Sequence, residues 1–327
     1  MILYHFFKRA ALSSLLTRGY VVEPIIVVVG FLGAGKTTLL KRLVTEYSQA
    51  NWSPFVVLND YENANLDAQQ FLDMLDEKSL KALNGSCICC SGIGELRESV
   101  NRIPERANGI TLIEANGTTD ACALMGFLGV GIEARFMPPV QISVVDVKNW
   151  QLRDIHNELE ANQIQVSSLI TLSHTDSVSE ERLGQVKEDI RAINPTAEIM
   201  LCEELEINTL PELLPSSNSA EKLAHHKSHW SSCSVDLPNL PDPICIKEIC
   251  DAIPSSVIRI KGCTVLGTEP GYTYFERCPD GEVYVRPYRG KPTTGAKLLT
   301  VGPCSDALLL ESAIHNSLEA AKLRQAK

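Results

Sequence analysis

The feature that most constrains this chain is a glycine-rich stretch that directly follows a short apolar run. Residues 25–29, IIVVV, suit a buried parallel strand, and GFLGAGKTT at residues 30–38 connects them to a helical pattern. A strand, a glycine-rich turn and a helix N-terminus in this order let successive backbone N–H groups face phosphate oxygens. The pattern therefore predicts a phosphate-binding loop in an α/β domain.

Several residues of this loop have an expected contact with a nucleoside triphosphate. We expect the Lys36 ammonium to reach the β- and γ-phosphates, the Thr37 hydroxyl to bind Mg²⁺, and Thr38 to contact the α-phosphate. The alternative is a glycine-rich turn that arose by chance, and the strand-to-helix setting counts against it. The predicted nucleotide-binding residues of the loop are Gly30, Gly33, Ala34, Gly35, Lys36, Thr37 and Thr38.

Two acidic residues end neighbouring strand patterns. Glu114 ends ITLIE and Asp60 ends FVVLND, and a carboxylate at such a position is a common partner for Mg²⁺. We expect Glu114 and Lys36 to be catalytic and Asp60 to be part of the nucleotide site. Gly117 lies three residues after Glu114, where the backbone could approach a γ-phosphate. Capping of the following helix is the alternative for both acids.

The alternation of strand and helix patterns predicts the fold class. An α/β P-loop NTPase domain with a mainly parallel sheet is expected, followed by a small α+β C-terminal domain. In the first domain the predicted strands are 25–29, 55–59, 110–114, 140–145, 167–172 and 197–202, and the predicted helices are 35–48, 68–76, 93–103, 150–160 and 178–193. In the second, the predicted elements are helices at 246–253 and 306–323 and strands at 257–266, 272–277, 282–287 and 297–301.

Composition changes along the chain predict four segments. Residues 1–21 carry basic and apolar side chains without acids, and we expect an extension there, with a packed helix or a targeting segment as alternatives. The P-loop domain is predicted at 22–214. A polar linker that contains histidines is predicted at 215–232, and the small α+β C-terminal domain at 233–327.

Charge and cysteine usage argue against several kinds of partner. The 327 residues carry a formal net charge of −10, which disfavours broad contact with nucleic acid or anionic lipid. No apolar run reaches the roughly 18 residues that span a bilayer. The 11 cysteines lack the spacing of a disulfide framework. We therefore expect a cytoplasmic protein without nucleic acid or membrane partners, and a homo-oligomer is compatible with this composition.

Three of the cysteines crowd into one short segment. Cys87, Cys89 and Cys90 lie in NGSCICCSG, and thiolates are soft donors that favour Zn²⁺ or Cu(I). A fourth ligand would come from water, another side chain or a partner, which gives an open site suited to passing a metal on. A redox-active or buried thiol cluster is the alternative. Further candidate nitrogen ligands, or else solvated linker residues, are His225, His226 and His229.

Taken together, these motifs resemble the CobW-type metallochaperone GTPases. GFLGAGKTTLL is similar to their phosphate loop, CICC to their CxCC metal motif, and IEANG to their ExxG element. NDYENANLD resembles their switch segment, and RIKGC at residues 259–263 resembles the start of their C-terminal sheet. The resemblance implies a GTPase that uses GTP, Mg²⁺ and Zn²⁺ and couples nucleotide state to metal delivery to a client metalloprotein. It also implies that Cys87, Cys89 and Cys90 are the metal ligands.

The chain departs from the family pattern at three places. SHTD at residues 173–176 stands where the family carries NKxD, so Asp176 is expected to contact guanine while the preference for GTP over ATP stays open. Glu62 replaces a small residue of the switch segment, and Ser86 stands in place of a glycine. The alternative function is a nucleotide-gated thiol redox sensor or binding protein without metal transfer, and a small-molecule kinase is a third possibility.

Overall fold

The chain folds around two β-sheets of different kinds. The computed structural model describes residues 23–60, 64–84, 93–216, 218, 232–257, 259–268, 270–278, 281–288, 290–292, 295–302 and 305–325. Within these residues a seven-stranded parallel sheet precedes a five-stranded antiparallel sheet. This arrangement confirms the predicted fold class.

The first sheet places its strands in the order β3-β2-β4-β1-β5-β6-β7. All of its neighbouring strands run parallel, so their carboxyl ends meet at one edge, which is where ligands bind in such sheets. The strands are β1 (Ile25–Val29), β2 (Ser53–Asp60), β3 (Leu80–Asn84), β4 (Gly109–Glu114), β5 (Val140–Asp146), β6 (Leu169–Ser173) and β7 (Glu198–Leu201).

Both faces of this sheet are covered, which explains the uninterrupted apolar sequence of β1. Ile26 and Val28 pack on one face with Leu40 and Leu43, while Val27 packs on the other face with Leu124. A strand buried on both faces has no polar side to alternate with. The helices of this domain are α1 (Lys36–Gln49), α2 (Ala64–Gln69), α3 (Ile93–Asn101), α4 (Ala121–Leu128), α5 (Asn157–Gln165) and α6 (Glu180–Ile193).

The second sheet has the order β11-β10-β9-β12-β8, and its neighbours are antiparallel. Two helices cover one of its faces, and Ile246 and Ile314 from these helices share a core with Phe275 and Leu298 of the sheet. The strands are β8 (Ser232–Asp236), β9 (Arg259–Thr264), β10 (Tyr272–Arg277), β11 (Val283–Tyr288) and β12 (Lys297–Val301), and the helices are α7 (Ile244–Ala252) and α8 (Ala307–Gln325).

Several predicted elements are wrong in position or were missed. The helix predicted at 68–76 lies at Ala64–Gln69, and the one predicted at 150–160 begins only at Asn157. Gln151 and Asp154 adopt positive φ angles of 56° and 49°, which a helix does not allow. Missed elements are the strands Leu80–Asn84 and Ser232–Asp236 and the helix Ala121–Leu128.

One missed strand and one misplaced helix have weak local signals. The edge strand β3 reads LKALN, without the β-branched residues that mark strands. The helix α5 buries the polar side chains Glu160, Asn162 and Gln163, so its inward face lacks an apolar repeat. Tertiary contacts, rather than local pattern, define both elements.

Candidate functional site

The glycine-rich loop lies between β1 and α1, at the carboxyl edge of the parallel sheet. Gly35 directly precedes α1 and has a φ angle of 93°, a left-handed conformation that favours glycine. A Cβ atom on Gly30 would lie 2.4 Å from the backbone oxygen of Val144, so only glycine lets the loop pass this close to β5. The sequence therefore fixes both the curl of the loop and its contact with the sheet.

The two predicted reactive side chains at the start of α1 are already engaged. Lys36 is 5% exposed, and its ammonium donates a hydrogen bond to the backbone oxygen of Phe31 at 3.1 Å. The Thr37 hydroxyl donates to Oε1 of Glu114 at 2.8 Å. Thr38, by contrast, is exposed at the surface of the loop. The loop thus folds back on itself with its lysine held inside.

Glu114 ends β4 and pairs in register with Val28 of the adjacent β1. Its Oε1 atom accepts from Thr37, while its Oε2 atom is buried and has no hydrogen-bond partner in the described part of the chain. Burial raises the pKa of the Glu114 carboxyl, and the nearby Lys36 ammonium counteracts that rise. An orphaned carboxylate oxygen beside a hydroxyl can accept a cation or a proton at this point.

The segment after Glu114 is held against the glycine-rich loop by α5. The Gln163 amide donates to the backbone oxygens of Gly117 at 2.9 Å and Thr119 at 3.1 Å. A Cβ atom on Gly117 would lie 2.4 Å from Cδ2 of Leu32 and 2.8 Å from its backbone nitrogen. Gly117 therefore packs directly on the phosphate loop, at the place predicted for a backbone approach to the γ-phosphate.

The SHTD segment begins at the last residue of β6 and also contacts the loop. The Ser173 hydroxyl donates to the backbone oxygen of Ala34 at 2.8 Å. The His174 Nε2 atom lies 3.2 Å from the backbone oxygen of Gly33. Asp176 is exposed two residues further on. The structure thus brings this segment to the phosphate loop, although neither Ser173 nor His174 was among the predicted site residues.

A narrow polar cavity, which we call the phosphate cavity, lies between the start of α1, the segment after β4 and strand β9. Its volume of about 10 Å³ has room for roughly one water molecule, so a phosphoryl group enters only after side chains move. Two of its lining residues, Asp67 of α2 and Arg259 of β9, lie far from the loop in sequence. The lining residues are Lys36, Leu58, Asn59, Asp67, Glu114, Ala115, Asn116, Gly117 and Arg259.

Asp67 of α2 and Arg259 of β9 line this cavity where the C-terminal sheet lies against the nucleotide-binding domain. The Lys261 ammonium of β9 lies 2.7 Å from Oδ2 of Asp67, and these side chains are 3% and 14% exposed. Both segments carry motifs of the family resemblance, but their motifs do not predict a shared site. No local pattern carries that signal, because the contact joins a helix and a strand whose residues are 194 positions apart.

Of the predicted metal ligands, the structure describes Thr37 but not the three cysteines. Cys87, Cys89 and Cys90 lie outside the described residues, as do Glu62, Ser86 and the linker histidines His225, His226 and His229. Asp60 is the last residue of β2. The described residues contain no group of three or more His, Cys, Asp or Glu side chains that could hold a metal ion.

The loop, the buried acid of β4 and the carboxyl edge of the parallel sheet define a P-loop nucleotide-binding domain. Residues 24–201 match the family described as CobW/HypB/UreG, nucleotide-binding domain. This match covers more than half of the 327 residues. The chain belongs to this family, which confirms the resemblance seen in its motifs.

Two curated relatives and one solved structure illustrate the similarity. The chain is 25% identical over 230 residues to zinc-regulated GTPase metalloprotein activator 1 of Dictyostelium discoideum, covering 59% of this chain and 48% of that protein. It is 26% identical over 170 residues to the zinc chaperone YjiA of Escherichia coli K12, covering 48% and 52%. The crystal structure of Zn(II)-bound YjiA GTPase from E. coli aligns over 90% of this chain and 98% of that one, with 17% identity and a TM-score of 0.41.

The chain spans about half the length of these two curated relatives, 48% and 52%. In the part of the chain that the structure describes, no helix combines the length and the apolar character that crossing a membrane requires.

Proposed function

We propose that this chain binds and hydrolyses GTP at the loop of residues 30–38 and couples the nucleotide state to the handling of zinc. The observation that carries the nucleotide part is the buried Oε2 atom of Glu114, which has no hydrogen-bond partner among the described residues and belongs to the carboxylate that accepts from the Thr37 hydroxyl. The membership of residues 24–201 in a nucleotide-binding family supports it.

The residues of the site fit Mg²⁺. This ion prefers oxygen ligands, and the Thr37 hydroxyl and the Glu114 carboxylate, directly or through water, would hold it next to the phosphates. The Oε2 atom of Glu114 is buried without a hydrogen-bond partner among the described residues, and a bound Mg²⁺ would satisfy it. Bound there, Mg²⁺ would neutralise charge on the β- and γ-phosphate oxygens.

Nucleotide binding requires Lys36 to change its partner. Its ammonium now donates to the backbone oxygen of Phe31, five residues earlier in the same loop. On binding, we expect Lys36 to turn to the β- and γ-phosphate oxygens, while backbone N–H groups of the loop face the phosphates. The close packing of Gly117 on Leu32 would carry the position of the γ-phosphate to the segment after β4.

We propose GTP as the nucleotide because the curated relative from Dictyostelium discoideum is named a zinc-regulated GTPase. Asp176 is the residue of the SHTD segment that would accept hydrogen bonds from guanine N1 and N2. The contacts of Ser173 and His174 with the phosphate loop support a position for this segment beside the nucleotide.

We propose Cys87, Cys89 and Cys90 as the ligands of a zinc cargo, to be delivered to a client metalloprotein. Thiolates are suitable donors for Zn²⁺, and three of them leave one position of a tetrahedral site open for exchange. The names zinc-regulated metalloprotein activator and zinc chaperone support zinc as the metal. The cysteine segment, residues 87–90, follows β3, which pairs with β2 in the sheet that contains the phosphate loop.

The test is a titration of the reduced full-length chain with Zn²⁺, Co²⁺ and Cu(I) in the presence of GDP or of GTP and ATP analogues. We expect stoichiometric zinc binding whose affinity differs between GDP and the GTP analogue. Cys89→Ser should weaken zinc binding, whereas the control Cys122→Ser should not. Cys122 is a cysteine of α4 that accepts a hydrogen bond from the Asn162 amide. Zinc binding that is absent or unaffected by Cys89→Ser contradicts the metal proposal. Metal-free thiol oxidation that alters nucleotide affinity supports a redox sensor instead.

A further inference from the structure

We propose that Arg259 is a catalytic residue of GTP hydrolysis that the C-terminal sheet supplies to the γ-phosphate. Arg259 is the first residue of β9, and it lines the phosphate cavity together with Lys36, Glu114 and Gly117. The inference rests on the proposed GTPase function. It adds a residue from outside the nucleotide-binding domain to that site.

The Arg259 side chain is held in place by a buried carboxylate. Its Nε atom donates to Oε1 of Glu276 at 2.6 Å, and the two side chains are each 16% exposed. The Tyr274 hydroxyl donates to the other oxygen of Glu276 at 2.8 Å. Glu276 is thus a positioning residue, because it fixes one edge of a planar guanidinium and so orients the rest of the group.

Charge favours an ionised Glu276 despite its burial. Burial acts to raise the pKa of this carboxyl, but the cations of Arg259 and Lys261 outweigh it, so the pKa lies below its ordinary value. A guanidinium held by an ionised carboxylate stays oriented before nucleotide arrives. Preorganised charge of this kind is more effective than a side chain that must be ordered during the reaction.

The same strand also carries a second cation that contacts the nucleotide-binding domain. Arg259 and Lys261 are two residues apart on β9, so they point to the same face of the sheet. Lys261 pairs with Asp67 at 2.7 Å, and Asp67 lines the same cavity as Arg259. Lys261 therefore contacts the nucleotide-binding domain, and its neighbour Arg259 lines the phosphate cavity.

The chemical step shows what Arg259 would contribute. In hydrolysis the oxygen of a water molecule bonds to the γ-phosphorus, and the bond from that phosphorus to the β–γ bridging oxygen breaks. Its electron pair leaves on GDP, and a proton of the water passes to the phosphate product or to solvent. Negative charge on the γ-phosphate and bridging oxygens must be stabilised in the transition state, and a guanidinium can bond to two of these oxygens at once.

The test measures single-turnover GTP hydrolysis by the full chain, together with its affinities for GTPγS and for GDP in the presence of aluminium fluoride. Arg259→Ala should lower the hydrolysis rate by about 10²- to 10³-fold and abolish the gain in affinity that aluminium fluoride gives. Affinity for GTPγS should stay close to that of the wild type, since the contact is strongest in the transition state. Arg259→Lys keeps the positive charge but loses the planar guanidinium that can donate to two oxygens at once, so its hydrolysis should also be slower than that of the wild type.

Two further variants separate catalysis from a general interface effect. Arg286→Ala removes an exposed cation of the same sheet that stacks on Tyr274 and does not line the phosphate cavity, so its hydrolysis rate should equal the wild-type rate. Glu276→Gln should lower the hydrolysis rate less than Arg259→Ala does, and it should weaken binding of GDP with aluminium fluoride more than binding of GTPγS.

The outcomes distinguish this inference from the proposed function. A wild-type chain that hydrolyses GTP alongside an equally active Arg259→Ala variant overturns the inference and leaves the GTPase proposal intact. A wild-type chain that does not hydrolyse GTP overturns both. Thermal unfolding and GTPγS binding identify a variant that has lost its fold, and Arg259→Lys then decides the question, with wild-type activity counting against the inference.

Discussion

Lys261 of β9 and Asp67 of α2 form an ion pair, with 2.7 Å between Nζ and Oδ2, that joins the antiparallel sheet to the nucleotide-binding domain. The side chains are 3% and 14% exposed, so this pair differs from a solvated surface contact. Asp67 also lines the phosphate cavity with Lys36 and Glu114. Asp67 therefore connects the phosphate cavity to the C-terminal sheet.

Removal of Lys261 should destabilise the protein more than loss of an ordinary ion pair does. Lys261→Met leaves the Asp67 carboxylate without its buried cation, and we expect the free energy of unfolding to fall by about 3–5 kcal/mol. Urea denaturation measures the change. Lys247→Met, which breaks an exposed pair with Asp251, is the control and should have little effect. Equal stabilities for the two variants would show that the Lys261 contact is not important.

The Thr37 hydroxyl should couple nucleotide affinity to Mg²⁺. Thr37→Val keeps the shape of the side chain but removes the oxygen that now donates to Glu114. We expect the affinity for GTP in the presence of Mg²⁺ to fall at least about tenfold, as losses around metal sites generally do. With EDTA present the variant and the wild type should bind GTP similarly. Isothermal titration calorimetry under both conditions tests this, and equal losses with and without Mg²⁺ would contradict it.

Substitution of Gly117 should disturb the phosphate loop directly. In Gly117→Ala the new Cβ atom would lie 2.8 Å from the backbone nitrogen of Leu32, and backbone cannot rotate away as a side chain can. We expect a loss of about 1–3 kcal/mol in stability and weaker GTP binding. Gly184→Ala is the matched control, since nothing lies within 4 Å of its added Cβ atom in the middle of α6.

That control should be neutral or more stable, by up to about 1 kcal/mol, because alanine favours the helix. Thermal unfolding and GTP titration of both variants provide the comparison. Wild-type stability and GTP affinity in Gly117→Ala would mean that the segment after β4 does not depend on the loop.

Three described cysteines should be unreactive in the folded protein. Burial raises the pKa of the Cys122 and Cys263 thiols to about 12 and that of Cys250 to about 11. Only a minute fraction of each is thiolate at neutral pH, and the thiolate is the form that reacts. Iodoacetamide should therefore label these residues slowly, with rates that rise as the pH increases towards 11.

Mass spectrometry of peptides after timed labelling measures these rates. Labelling in urea is the control, because unfolding restores ordinary thiols and should make the three cysteines react alike. Native labelling of Cys263 at the rate found in urea would contradict the burial that the structure shows.

The phosphate loop and the sheet that holds it were predictable because their signals are local. IIVVV is apolar throughout because β1 is buried on both faces, and the glycines after it occupy positions where a Cβ atom or a negative φ angle does not fit. The contact between Thr37 and Glu114 was not predicted, because it depends on β1 and β4 being neighbours in the sheet.

The remaining parts of the site depend on contacts that no local pattern encodes. Arg259 reaches the phosphate cavity because β9 packs beside α2, and Ser173 contacts the loop because β6 lies two strands from β1. The strand β3 was missed because its stability comes from pairing with β2 at the edge of the sheet rather than from its sequence. Helix α5, with its buried Gln163, was misplaced for a similar reason.

The most direct test of the central claim is phosphate release from GTP by the full-length chain and by its Lys36→Ala variant, measured with Mg²⁺ present. Lys36 is buried in the loop and lines the phosphate cavity, so it is the cation that the triphosphate must recruit. We predict slow but measurable phosphate release by the wild-type chain and none above background by Lys36→Ala. Absence of release by the wild-type chain, or equal release by the two proteins, would contradict GTP hydrolysis at this loop.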